Sequence, residues 1–170
     1  MTVKNKTDKP LKIEQGNLYT TIRPQQGERV MIIGGSETLT ARCSDAGAAV
    51  LPVVSFAQVQ QHEFDTVAAP LSVHPYADGA QWTAKAYEAL KEGGRFVADF
   101  AESSSLPSAS DYPYAESLAG YWERLKAAGF STILFQQLSA KSAQEAVLNG
   151  WTELVSSKYP VTVNRFIAVK

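Results

Sequence analysis

The sequence predicts an α/β fold: a doubly wound, mostly parallel sheet with helices on both faces. Three observations carry this. The apolar run Val30, Met31, Ile32, Ile33 has no polar alternation, which suits a strand buried on both sides. Runs of that kind alternate with segments of helical spacing, at about one turn-linked unit per 30 residues. The chain has 170 residues, 45% hydrophobic and 19% charged, which is enough apolar side chain for one core and one domain.

Residues 1–23 read as an N-terminal leader, basic and solvated over its first dozen positions through Lys4, Lys6, Lys9 and Lys12. Within it, residues 11–14 and 18–22 flank Gln15, Gly16 and Asn17 and fit a small hairpin. Residues 24–170 form the single domain. Its first strand ends at Gly34 and Gly35, and Ser36 caps a helix over 37–46 that Gly47 closes. A second strand covers 49–54, where Pro52 removes a ladder donor and points to a sheet edge or a strand end. A strand from Phe64 closes at Pro70 and the loop of His74, Pro75 and Tyr76.

Asp78 then starts a helix with Trp82, Ala86, Ala89 and Leu90 on one face, ended by Glu92, Gly93 and Gly94. Residues 95–100 form a strand, and a serine-rich polar loop follows over 101–110. Leu118, Tyr121, Trp122 and Leu125 make another helical stripe, stopped by Gly129. A strand over 131–135, a short helix over 140–148 and a last strand over 161–169 complete the chain.

Composition removes several chemistries. A single cysteine, Cys43, leaves no internal disulfide framework, cysteine-built cluster or zinc site. His62 and His74 alone cannot build a multi-histidine metal centre, so no metal ligands are assigned. The net charge of -1 gives no general attraction to nucleic acid or to anionic membrane. A basic leader can serve as a nucleic-acid arm, but short basic termini are common and screened by salt. The N-terminus has no apolar run behind its lysines, and no stretch approaches the roughly 18 apolar residues that cross a bilayer. The expectation is a cytoplasmic protein, with no nucleic acid and no membrane among its partners.

Four segments, in order, resemble landmarks of the class I S-adenosylmethionine-dependent methyltransferases, a Rossmann-like family. Residues 27–34 resemble the family's first strand and glycine turn. Phe64, Asp65 and Val67 resemble the start of its fourth strand. Residues 90–96 resemble its Leu-Lys-Pro-Gly-Gly turn, with Glu92 in place of proline. Residues 125–130 resemble the entry to its sixth strand, and residues 165–170 its closing strand.

The resemblance implies a cofactor site made of a glycine loop after strand one and an acidic residue ending strand two. It maps cofactor contacts onto Gly34, Gly35, Ser36, Thr38 and Ser55. The family's leading acid is here Ile32, its second glycine Ser36 and its third Thr38, which puts Cβ groups where ligand should meet backbone. Glu37 adds a carboxylate facing a ligand that carries its own. The ribose acid falls at Val54 or Ser55, neither of them ionisable, and each lost charge-assisted hydrogen bond costs about 1.5–3 kcal/mol. A helix plus a strand needs roughly 16 to 20 residues, more than lie between the second strand and Phe64. The family's third strand is therefore expected to be missing, and the domain to be degenerate.

Other residues have a plain structural reading beside the chemical one. His74 sits where a general base can act, although loop histidines are commonly solvated. Asp99 and Glu102 end a strand at the ligand rim and can pair with a basic partner, or simply be solvated. Asp65 is read as capping backbone, Cys43 as a buried structural thiol, and Trp82 and Trp122 as core. Trp151 is assigned to an interaction surface, and the serines over 103–110 to a loop open to phosphorylation. No catalytic residue is assigned.

Two functions follow. The first is a non-catalytic interaction domain without a cofactor. It is similar to the methyltransferase-like N-terminal domain of the anamorsin family, which implies cytosolic iron–sulfur cluster assembly and a cysteine-rich iron–sulfur protein or reductase as partner. The second is an active small methyltransferase using S-adenosylmethionine in a divergent pocket.

Overall fold

A computed structural model describes residues 9–34, 36–53, 63–71, 79–101, 117–151 and 158–170. Its elements are α1 (Tyr19–Ile22), β1 (Arg29–Ile33), α2 (Glu37–Asp45), β2 (Ala49–Val53), β3 (Phe64–Ala69) and α3 (Gly79–Ala89). They continue with β4 (Leu90–Phe100), α4 (Leu118–Ala128), β5 (Thr132–Ala140), α5 (Ala143–Leu148) and β6 (Val161–Val169). The strands form one sheet in the order β2-β1-β3-β4-β6-β5. The pairs β1–β2, β1–β3 and β3–β4 are parallel, and β6 runs antiparallel to both β4 and β5. The α/β, mostly parallel expectation holds.

The double winding follows from strand periodicity. Val30 and Ile32 point into one core with Leu39 and Cys43 of α2, while Met31 and Ile33 point into the other. That second core takes Ala86 and Ala89 of α3 and Tyr121 and Leu125 of α4. Every residue of β3 is buried, as an unalternating run requires. Aromatic rings fill the α3–α4 side, with Phe100 stacked 4.1 Å from Tyr121 and Phe96 edge-on to Phe166 at 5.2 Å.

Helix starts match their sequence signals. Ser36 Oγ accepts from the Leu39 amide at 3.3 Å, and Ser117 and Ser142 cap α4 and α5 in the same way. Gly129 closes α4 at φ 112°, a left-handed value that favours glycine. Among the described residues β2, with Pro52 inside it, pairs with β1 alone and lies at the sheet edge, as the proline predicts. Residues 54–62, the interval in which the third strand is expected to be missing, lie outside the described residues.

Four expectations are corrected. The hairpin over 11–22 is absent, because residues 19–22 form the helical turn α1. Asn17 Oδ1 accepts from the Tyr19 amide and Thr20 Oγ1 donates to the Asn17 carbonyl, so local side-chain bonds favour a turn over a ladder. The solvated leader is the second, at Lys9: residues 1–8 lie outside the described residues and 10–12 are exposed, but Lys9 is buried, and beyond it Ile13, Leu18 and Ile22 pack in the core. The Lys9 ammonium is buried on Glu28 Oε1 at 3.0 Å and on the carbonyls of Ile22 and Arg23, both at 3.1 Å. Burial holds its pKa below the usual lysine range, against the opposing pull of Glu28.

The third correction concerns the glycines of residues 92–94. The helix stops at Ala89 and the chain passes straight into β4, where Leu90 pairs with Phe64 before the register shifts. A Cβ on Gly94 would lie 2.8 Å from the Lys91 carbonyl and 3.2 Å from that of Asp65, so this glycine permits a close strand approach. Fourth, β5 runs on to Ala140, because Ser142 delays the helix that follows. Among the described residues no helix is long and apolar enough to cross a membrane.

Candidate functional site

In an open α/β sheet, ligands bind where the strand order reverses, beyond the carboxyl ends of the strands. Here that point lies between β1 and β3. β1 leads through the turn at Gly34, at φ 93°, whose amide donates to the Val53 carbonyl at 2.9 Å. Gly34 is exposed, Ser36 half-buried, and Glu37 and Thr38 exposed on the first turn of α2. The structure thus brings Gly34, Ser36 and Thr38 to the rim. Gly35 and Ser55 lie outside the described residues, as do Val54, His74, Glu102 and the serines of 103–110.

Among the described residues, the crevice beside Ser36 is narrow. Asn17, Leu18, Ser36, Leu39, Pro70, Leu71, Asp99, Asn149 and Gly150 bound a cavity of about 30 Å³. That volume is close to one water's share of the liquid, whereas small-molecule sites occupy about 300–1,000 Å³. That crevice alone is too small for S-adenosylmethionine; positions 35, 54–62, 72–78 and 102–116, which follow β1 to β4 at the same rim, lie outside the described residues. Ile32, at the position of the family's acid, is fully buried in the same core as Leu18 and Leu39. Ser36 spends its hydroxyl oxygen on the Leu39 amide, and its carbonyl accepts from Thr40.

What closes the rim is a buried polar hub that sequence reasoning missed. Arg165 on β6 is fully buried and clasps Asp99 on β4, with Nε 2.6 Å from Oδ1 and Nη2 2.9 Å from Oδ2. Its remaining donors reach the N-terminal stretch. Nη1 donates to the Glu14 carbonyl at 2.8 Å and Thr21 Oγ1 at 3.2 Å, and Nη2 to the Gly16 carbonyl at 2.8 Å. Trp151 donates its indole N–H to Asp99 Oδ2 at 3.1 Å. Arg95 holds the same stretch further along, donating to the carbonyls of Lys9 and Pro10. The one signal available in the sequence was the single charged residue inside the last strand.

These contacts change several residue readings. Asp99 is neither solvated nor offered to a basic partner, because the chain's own arginine neutralises it. Trp151 is fully buried rather than on an interaction surface, while Trp122 is 38% exposed rather than core. Trp82 is half-buried. Asp65 is structural, as expected: Oδ2 accepts from the Arg29 amide at 2.8 Å, with Lys91 Nζ 3.4 Å from Oδ1. Cys43 is buried, as expected, and burial pushes its thiol up to about 11. Among the described residues no cluster of three or more histidine, cysteine or acidic side chains could hold a metal.

No protein-family model matches the chain, and no curated protein does. Solved structures do. A phosphoethanolamine N-methyltransferase 2 of Haemonchus contortus, in complex with phosphomonomethylethanolamine and S-adenosylhomocysteine, matches 86% of the chain at 19% identity, with a TM-score of 0.63. The chain spans 49% of that protein's length. A methyltransferase-like protein of Bacillus halodurans matches over 90% of the chain and 96% of its own length, at 14% identity and a TM-score of 0.58. The cyclase SpnF matches over 90% of the chain and 79% of its own length, at 15% identity and a TM-score of 0.57. With this strand order and these neighbours, the chain has the Rossmann-like fold of the class I S-adenosylmethionine-dependent methyltransferases.

Proposed function

We propose that this chain is a methyltransferase-fold domain that works through its surfaces and does not use the methyl donor. The observation that carries the reading is the narrow crevice among the described rim residues. Asn17 and Leu18 from one side and Asn149 and Gly150 from the other leave about 30 Å³ beside Ser36. Ile32, Ser36 and Thr38 in place of an acid and two glycines support it, because they remove ligand contacts and add bulk. The match to a cyclase supports the same caution, since one fold hosts unrelated activities. In the setting that the anamorsin resemblance implies, cytosolic iron–sulfur assembly, the partner would have to bring the cysteines. Cys43, buried and with its thiol pushed up to about 11, offers no thiolate to a cluster.

A second reading, an active S-adenosylmethionine-dependent methyltransferase with a divergent pocket, is favoured by the solved structures, one of which holds S-adenosylhomocysteine. Thermal unfolding with either ligand separates the two. At about 1 mM ligand, a site with a Kd of about 10 μM adds roughly 2.7 kcal/mol, which at this length raises Tm by about 5–10 °C. The first reading expects no shift. A shift of that size with S-adenosylmethionine or S-adenosylhomocysteine establishes the second.

A further inference from the structure

Among the described residues, β5 is the last strand of the sheet on the α4–α5 side and pairs with β6 alone; its nine residues, Thr132 to Ala140, include no charge, no proline and no glycine. Natural edge strands are usually short, charged, bulged or covered, because an open row of backbone donors and acceptors recruits another strand. Among the described residues, the Gln15 side-chain amide donates to the Ser139 carbonyl at 3.1 Å, near the end of the strand.

The exposed apolar side chains gather at the same place. Of the six large ones among the described residues, five lie on β5 or on the helices either side of it in sequence: Leu118, Trp122, Leu134, Val147 and Leu148. On one face Trp122 sits 6.0 Å from Phe135. On the other, Leu148 is 74% exposed and lines a groove with Ser139, while Val147 and Leu148 wall an apolar hollow of about 480 Å³. Scattered apolar residues need no explanation, whereas a cluster along an open edge marks an interface.

We propose that this edge pairs with the same edge of a second copy of this chain, β5 against β5 and antiparallel. A two-fold axis near Gln136, the middle of the strand, makes the patch meet itself, which is the commonest closed arrangement of soluble oligomers. The strand itself is uncharged, so it meets no like charge along the pairing in its copy, and Lys141 and Glu145 beside its end carry opposite signs. The size points to a concentration-dependent pair. A nine-residue strand is roughly 30 Å long, and α4 and the shorter α5, roughly 17 Å and 9 Å long and about 10 Å across, flank part of it on either face. That gives a strip on the order of 400 Å² per partner, the size of a weak, reversible interface. Pairing also satisfies the outward backbone groups of β5 in both copies.

The inference stands apart from the methyl-donor reading, because it uses neither Ser36 nor the rim, and either can fail alone. Sedimentation equilibrium of the full chain tests it. At about 100 μM, the expected mass is twice the 18.5 kDa of one chain. Leu134→Lys with Gln136→Lys, two exposed positions, is expected to return the protein to monomer with an unchanged circular dichroism spectrum. Leu148→Glu, at a site too exposed to affect folding, is expected to weaken the dimer tenfold or more. A wild-type monomer at that concentration overturns the proposal and leaves the edge to a different protein. A dimer indifferent to all three substitutions overturns it as well.

Discussion

Arg165 ties the last strand to the N-terminal stretch. A buried guanidinium is costly unless every donor is matched, and here Asp99 and three residues of that stretch, Glu14, Gly16 and Thr21, match it. Arg165→Ala strands the Asp99 carboxylate in the core, and the expected cost is about 3–5 kcal/mol, seen as a fall in Tm. Arg165→Lys is expected to recover little, because an ammonium cannot span the planar fork. Cys43 supplies a second test. Its thiol is raised to about 11, so between the ordinary thiol range and that value the unfolded chain ionises while the folded chain does not. The unfolded state then holds fewer protons, and stability falls as pH rises. Denaturant midpoints of the wild type and Cys43→Ala are expected to converge or cross between pH 9 and pH 11, and parallel curves would contradict the assignment.

At the level of elements, what the sequence disclosed was set by local chemistry. The Ser36 cap, the Pro52 edge and the full extent of β6 were legible because a few neighbouring residues decide each of them. The N-terminal stretch was not. Its alternating residues resemble a hairpin, but the partners that bend it are distant: Arg165 lies 151 positions from Glu14 and 66 from Asp99. No window along the chain contains both ends of that contact, so the residues that close the rim stayed hidden; of the cofactor contacts named from the sequence, Ser36 lines the crevice. Ser36 also separates two roles. As a cap only, Ser36→Ala is expected to cost about 1 kcal/mol, lowering Tm, while Ser36→Asp keeps the wild-type stability. A Tm unmoved by Ser36→Ala would show that the capping bond contributes nothing.

For the molecule as a whole, the fold and the pocket tell different stories. The sheet retains the strand order, the switch point and the glycine turn at which a nucleotide-like ligand would sit. The chain then lays its own residues 9–22 across one face, gripped by Lys9, Arg95 and Arg165, and sets Asn17 and Leu18 into the crevice. A stretch that the sequence presents as a leader thus becomes part of the core and part of the site. The central claim is that this crevice takes no methyl donor. Calorimetric titration of the purified chain with S-adenosylmethionine, repeated with S-adenosylhomocysteine, measures that directly. The account predicts no binding heat for either ligand. Saturable binding at or below about 10 μM, roughly -7 kcal/mol, would contradict it.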